Sequence, residues 1–411
     1  MLTDEEIQSI IKKYFNKPNG LTDHQISSYN ELIDTILPNQ LSLLFPLTIN
    51  VNNENIDTIV LSISNIDIKY PYYTENNGCS NIMTPYIAKL KNYTYSLSIY
   101  IDISIKIVYY QDNIKVSNIK EIKQILLGKI PIVVKSKYCV SNIMDNNECI
   151  YDPGGYVIIN GNEKAIISQE KVCPNIIQIN HISKNSKYYL AAEIRSVVSH
   201  LVIPPKIISA KICKNKHHIR VSIPHIRTEI PLFILFRALG CESDKEICYY
   251  IIDNNHTSID STMLNLLKSS ILESSNIITQ TDAINYIKDY INNSSNFKSD
   301  DITKFNYVKN TVLKAILPHL GDDNTKKCYY IGFMVNRLLK THLGIYPISD
   351  RDSYENKRIE TCGILIGNIL YQCLSRLVKD IKSNILKEVN SGQWNINKDF
   401  MEIINDISIH K

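Results

Sequence analysis

What this 411-residue chain lacks narrows its identity before any motif is considered. It has ten cysteines but no CxxC pair; the closest spacings are Cys139/Cys149 and Cys241/Cys248. A structural zinc site is usually assembled from two close pairs of ligands, so zinc is not expected, and free thiols in a reducing compartment are. Net charge is also missing. Forty-five basic residues against 41 acidic ones leave only +4. Any contact with nucleic acid must then rest on local patches, not on bulk electrostatics. No apolar run reaches the length of a membrane span. No basic stretch opens the chain as a secretory signal would, because Thr3-Asp4-Glu5-Glu6 is acidic there. The expectation is a soluble, intracellular protein. GxSxG, GxxxxGK[ST] and HExxH are all absent, and no nucleophile–base arrangement stands out. The remaining composition, 44% hydrophobic and 21% charged, is that of an ordinary globular protein of two or three domains. Enrichment in Ile, Asn, Lys and Tyr, with a single Trp, reflects A/T-rich codons.

The most informative stretch is 152–175, DPGGYVIINGNEKAIISQEKVCPN. Pro153-Gly154-Gly155 is turn chemistry, and Tyr156-Val157-Ile158-Ile159 is a β-branched and aromatic strand. Asn160-Gly161 is the dipeptide preferred by a type I′ hairpin turn, where both central residues need positive φ. Ala165-Ile166-Ile167 supplies a returning strand. Together they predict a tight hairpin with a polar tip and a mostly buried body.

Elsewhere the periodicities are clear. Thr3/Glu6 and Thr22/Gln25 each have capping-box spacing ahead of an apolar helical stripe, with Lys17-Pro18-Asn19-Gly20 between the two helices. Strands are expected at 48–51 and 59–63. Leu97 through Ile107 alternates strictly, which predicts a strand with one buried face. Further strands are expected at 129–134, 206–213 and 218–223. The run at 231–240 predicts a buried helix stopped by Gly240. Residues 243–342 are mostly helical in period, with loops at 253–260, 292–301 and 320–325. A last helix is expected over 363–389. His217-His218 and Asp350-Arg351-Asp352 read as a solvated basic turn and a salt-bridged loop, not as metal sites. Lys135, Lys137, Lys164 and Lys171 flank two neighbouring strands, so they form either a phosphate-binding end of a sheet or a solvated rim. Tyrosine pairs at 72–73, 249–250 and 329–330 read as composition, without the aromatic-plus-basic platform of a single-strand binder.

Several motifs carry a resemblance. Residues 154–170, GGYVIINGNEKAIISQE, resemble the GGYFIINGxEKVIIxQE signature of the second-largest subunit of multisubunit DNA-directed RNA polymerases, RNA polymerase II type. Residues 88–96 (AKLKNYTYS) resemble its EARLRNLTYSS, and 128–139 (GKIPIVVKSKYC) its GRLPIMLRSKNC. AEIRS stands at 192–196. IPHIRTEIP at 223–231 and FRALG at 236–240 resemble LPYIKQDIP…FRALG. GFMVNRLL at 332–339 resembles GYMINRLL, Asp350-Arg351-Asp352 with Lys357-Arg358 resembles DRDHFGxKR, and SGQW at 391–394 resembles TGNW. The motifs keep the family's order over nearly the whole chain.

The resemblance implies an α+β fold: a mixed sheet-and-helix protrusion over 1–190, an inserted α+β lobe over 191–350, and a helical return to the protrusion over 351–411. It implies one wall of a transcription cleft, with Lys164 and Gln169 as phosphate or RNA contacts and Lys171, Lys135 and Lys137 as weaker candidates. No cofactor is expected on this chain. Mg2+ would be held by the largest subunit, so this chain would not be catalytic alone. The expected partners are the largest subunit, the remaining C-terminal part of the second subunit, smaller subunits, template DNA, the RNA–DNA hybrid and initiation factors. The resemblance and the codon bias suggest a large DNA virus, and so host cytoplasm or virion, or the nucleus if the source is cellular. The sequence stops before the family's hybrid-binding and clamp segments, so the chain is expected to be one half of a split subunit, the product of an interrupted gene, or a truncated fragment. The alternative is a non-catalytic fragment acting as an assembly or factor-binding module.

Overall fold

The computed structural model describes residues 3–16, 20–50, 56–111, 114–142, 148–149, 151–198, 201–252, 258–290 and 301–390. The SGQW motif, the Lys17-Pro18-Asn19 break and most of the loops at 253–260 and 292–301 lie outside the described residues. The chain divides into two compact units. One is Met1–Gln169 with Ile359–Lys411, and the other is the insertion Glu170–Arg358. The fold is α+β, with antiparallel sheets and separate helical layers. The division falls at Glu170 and Arg358, where the sequence reading set its limits at 191 and 350. The physical reason is pairing: the strand at 178–181 bonds to the strand at 188–196, so the sheet of the insertion starts before 191.

The first unit opens with α1 (Asp4–Phe15), whose capping box forms as expected: Glu6 N donates to Thr3 Oγ1 and Thr3 N to Glu6 Oε2. The second expected box does not form. Thr22 Oγ1 instead donates to Pro153 O at 2.7 Å, and Gln25 is used elsewhere. Helix α2 (Asp23–Glu31) runs through one wide turn at Leu32–Ile36 into α3 (Leu37–Leu44). Strands β1 (Leu47–Asn50), β2 (Ile56–Lys69), β5 (Ser96–Gln111) and β6 (Ile114–Pro131) form one antiparallel sheet in that order. Between β2 and β5 lie the small hairpin of β3 (Tyr72–Thr74) and β4 (Ser80–Ile82) and the short helix α4 (Pro85–Leu90). Ile99, Ile101, Ile103, Ile105 and Ile107 are all buried, as period two requires. Of the strand expected at 129–134, only 129–131 is strand, as the end of β6, which also includes 114–128; 132–134 lie beyond it, with Val133 in an isolated bridge to Val157. Then come β7 (Val157–Ile159) and β8 (Asn162–Lys164), which pair as a hairpin.

In the inserted unit, β9 (Gln169–Val172) leads to a five-stranded antiparallel sheet. Its order is β10 (Gln178–His181), β11 (Tyr188–Ser196), β12 (Lys206–Cys213), β13 (Ile219–Ser222) and β14 (Ile230–Pro231). Helix α5 (Leu232–Leu239) is buried at every residue and is closed by Gly240 at φ +111°. Its one charge, Arg237, donates from its two terminal nitrogens to the Ser274 and Ile277 carbonyls and to Asp244, while its Nε is buried without a partner. Helices α6 (Asp244–Ile251), α7 (Ser258–Glu273), α8 (Gln280–Asp289), α9 (Asp301–Tyr307) and α10 (Asn324–His342) complete this unit's core. Strand β15 (Lys357–Glu360) pairs with β9. Helix α11 (Cys362–Asn390) then packs on α2 and α3 of the first unit, with Gln40 Nε2 donating to Gly367 O at 2.9 Å.

Candidate nucleic-acid interface

The hairpin at 157–164 is built by local chemistry and held by distant residues. Asp152 starts it: its Oδ1 accepts from Gly154 N at 2.9 Å and its Oδ2 from Tyr156 OH at 2.6 Å. Val134 N donates to Tyr156 O (2.8 Å) and Gly155 N to Val134 O (3.0 Å), so the chain after β6 lies beside β7. Val133 and Val157 form an antiparallel bridge there. At the tip, Asn160 and Gly161 take φ +50° and +77°, the two positive values a type I′ turn needs. Gly161 N donates to Tyr93 O (3.0 Å) and Asn160 N to Thr94 Oγ1 (3.2 Å). The tip is thus seated on the segment that follows α4.

A Cβ at residue 161 would stand 2.4 Å from Asn92 Oδ1 and 2.8 Å from Asn92 Cα. Gly161→Ala is therefore expected to cost about 2 kcal/mol, combining left-handed strain with the clash. Equilibrium urea unfolding checks this, and an unchanged midpoint would contradict it.

The returning strand is Asn162–Lys164, not 165–167 as the sequence suggested. Ala165 is exposed and Ile167 is 81% exposed. The cause is a competing tertiary partner: Gln25 Nε2 donates to Ile166 O (3.2 Å) and Ser168 Oγ (2.9 Å), pulling this stretch out of the ladder. The hairpin body is also only half buried. Val157 and Ile158 are buried, while all of β8 is exposed. Lys89 is the main support of β8. Its ammonium meets Glu163 at 2.8 Å, Glu148 at 3.1 Å and Tyr156 OH at 3.2 Å. Burial opposes its charge, but Glu163, Tyr156 and Glu148 outweigh burial and hold its pKa above the usual lysine value.

The five candidate contacts separate on this scaffold. Lys164 ends β8, opposite Val157, exposed and with no ion-pair partner among the described residues. Lys135 lies near the same open end of the hairpin, through the Val133–Val157 bridge, but it is half-buried at φ +66° and its ammonium donates to the Asp152 carbonyl. Lys137 is exposed and meets both oxygens of Asp34, at 3.0 and 3.1 Å. The Asp34 carboxyl is held below the usual range by hydrogen bonds from Tyr138 and Lys137 that outweigh burial. A pair this exposed contributes little and leaves Lys137 able to exchange partners. Gln169 is exposed at the start of β9. Lys171 is half-buried and belongs to the inserted unit. Lys89 and Gln25, which fix the hairpin, are not among the sequence candidates for the site: Gln25 reads there as a helix cap and Lys89 only as part of the 88–96 motif.

Among the described residues, no three His, Cys, Asp or Glu side chains converge as metal ligands, and no helix is long and apolar enough to cross a membrane. Asp350 closes a polar turn, its Oδ1 accepting from Asp352 N at 2.9 Å and Ser353 N at 3.3 Å. His217 sits in the turn after β12, its ring 5.7 Å from that of His342.

A family model described as RNA polymerase beta subunit matches residues 20–408. The chain is 31% identical over 422 residues to the DNA-directed RNA polymerase II subunit 2 of Arabidopsis thaliana, covering 95% of this chain and 35% of that protein. It is 30% identical over 405 residues to the DNA-directed RNA polymerase II subunit RPB2 of Encephalitozoon cuniculi, covering 95% and 34%. It is 28% identical over 404 residues to the DNA-directed RNA polymerase subunit Rpo2N of Methanocaldococcus jannaschii, covering 93% and 74%. The chain thus spans about a third of the length of the first two relatives.

Proposed function

Because the chain belongs to the RNA polymerase beta subunit family, we propose that it works within a DNA-directed RNA polymerase as one wall of the nucleic-acid cleft. The observation that carries this reading is the hairpin at 157–164, which is anchored at its base and tip and presents Lys164 to solvent within the matched region. The reaction served is attack of an RNA 3′-hydroxyl on the α-phosphate of a nucleoside triphosphate, with pyrophosphate leaving. This chain's residues bind and orient. The Mg2+ of the reaction is assigned to the largest subunit, which is one proposed partner beside the rest of the second subunit, smaller subunits, template DNA and initiation factors. The unit interrupted by the insertion is read as the protrusion and Glu170–Arg358 as the lobe, on the strength of the nested division. The Ile-, Asn- and Lys-rich composition supports a large DNA virus as source and the host cytoplasm or virion as site of action.

In this reading Lys164 and Gln169 contact the phosphates of the RNA–DNA hybrid; Lys135, Lys137 and Lys171 are secondary contacts. Lys164→Ala in the assembled polymerase is expected to shorten the lifetime of the elongation complex and to reduce its log–log salt slope by about one, as loss of one phosphate contact should. Complex half-lives measured across a salt titration test this. Superimposable wild-type and variant curves would remove Lys164 from the interface.

A further inference from the structure

A second feature of the first unit lies outside the five candidate contacts. Tyr72, Tyr73 and Thr74 of β3, Met83, Tyr93, Thr94 and Ser96 after α4, and Lys129 and Pro131 of β6 line a cleft of ≈ 460 Å³. Tyr72 is 52% exposed and Tyr93 40% exposed, and the Tyr73 and Tyr93 rings stand 6.4 Å apart. Lys91 Nζ lies 4.2 Å above the Tyr73 ring centre. Next to it Lys69 Nζ lies 4.5 Å above the Tyr100 ring and 3.9 Å from Asp67 Oδ2. The rim carries one carboxylate on β3's side, Glu75, already engaged by Tyr73 OH at 3.3 Å and Asn77 Nδ2 at 3.4 Å.

We infer that this tyrosine–lysine cleft binds an unpaired nucleotide of single-stranded nucleic acid, its base stacked on the tyrosine rings and its phosphates on Lys91 and Lys129. Every base has a π-face, and tyrosine rings flanked by cations are the means by which proteins hold single strands without reading sequence. A duplex cannot use the cleft, because its base faces are already stacked. An apolar peptide side chain would fill the cavity but leave the lysines without counter-charge. The cleft also shares Tyr93 and Thr94 with the hairpin, whose tip bonds to their backbone and side chain. A strand held at Lys164 can therefore run along the exposed β8 toward the hairpin tip and this cleft. The inference deepens the proposed function and rests on it, by naming a second contact for the nucleic acid.

The test is fluorescence anisotropy of the full chain with a fluorescein-labelled oligo(dT) or oligo(rU) of ~12 nucleotides, alone and annealed to its complement. The double variant Y73L/Y93L is expected to weaken single-strand binding about tenfold with an unchanged salt slope, because stacking releases no counterions. Y73F/Y93F keeps the rings and is expected to bind as wild type, which separates stacking from misfolding. K91Q is expected to lower the salt slope by about one-half to one. Wild-type affinity in Y73L/Y93L, no binding by the unaltered chain, or equal affinity for duplex each overturns the proposal. Loss of a co-purifying polypeptide in Y73L/Y93L, with oligonucleotide binding intact, would make the cleft a peptide site and overturn it too. Lys164→Ala serves as the separate control. Loss there alone sinks the cleft and leaves the hairpin reading, whereas loss in the tyrosine variant alone does the reverse.

Discussion

Gly363→Ala is expected to destabilise the first unit by about 3 kcal/mol, the upper end of the usual overpacking range. A Cβ at residue 363 would stand 2.0 Å from the Ser28 carbonyl oxygen, 2.5 Å from its carbon and 2.6 Å from Ser28 Oγ. These are mostly backbone atoms of α2, so no rotamer change relieves the contact. The bonds at this crossing are also numerous. Gly363 N donates to Ser28 Oγ (3.1 Å), Cys362 N to Gln25 Oε1 (2.9 Å), and Thr361 Oγ1 to Ser28 Oγ. Displacing the start of α11 therefore also disturbs Gln25, whose other amide atom holds Ile166 and Ser168 beyond the hairpin. Denaturant unfolding should show a midpoint shift at constant slope. A loss below about 1 kcal/mol would mean that α11 slides along α2 with little resistance.

What could be read from the sequence, and what could not, divides along the same lines as these contacts. Period two in β5, the stripe of α11, the Thr3/Glu6 cap and the Gly240 stop were legible because each depends on neighbours a few residues away. Thr22/Gln25 has the same spacing as Thr3/Glu6 but not the same outcome. Its side chains have tertiary partners at Pro153, Ile166 and Cys362, which no local pattern announces. Most of β6 was hidden because its outer positions are charged and its ladder with β5 is broken by irregularities near Tyr100 and Ile101, with Gln124 at positive φ. Among the candidate contacts, the sequence could place Lys164 beside a turn. It could not tell that Lys135 would bend back onto Asp152, or that Lys137 would meet Asp34 from a helix a hundred residues away. The tyrosine pair at 72–73 reads as composition in the sequence, and Tyr93 only as part of a motif, because the cleft exists only after β3, the segment after α4 and β6 come together.

Lys89→Met is expected to cost about 2 to 3 kcal/mol, and its consequences should reach the site directly. Lys89 is 26% exposed and Glu148 17% exposed, so removing the ammonium leaves a mostly buried carboxylate without its partner. Glu148 Oε1 has no hydrogen bond even in the native arrangement, which raises the cost of losing the bond at Oε2. Breaking one side of a fully buried pair costs about 3 to 5 kcal/mol, and partial exposure of Lys89 lowers that range. Tyr156 loses less, because its hydroxyl still donates to Asp152. The pH dependence follows from the direction of the lysine shift. A lysine whose folded pKa is raised contributes its full stabilisation below the unfolded value of about 10.4 and loses it as pH rises through the folded one. The difference in unfolding free energy between wild type and Lys89→Met should therefore be flat from about pH 7 to 9 and shrink only above about pH 10. Lys89→Arg should recover part of the loss, because it keeps the charge but not the compact ammonium geometry. Glu163 stands beside Lys164 in β8, so the methionine variant should also weaken oligonucleotide binding while leaving the salt slope unchanged: Lys164 keeps its charge and loses only its support. If unfolding free energies showed no loss, or if the salt slope fell as in Lys164→Ala, Lys89 would not be the anchor of β8 but either a dispensable surface lysine or itself a phosphate contact.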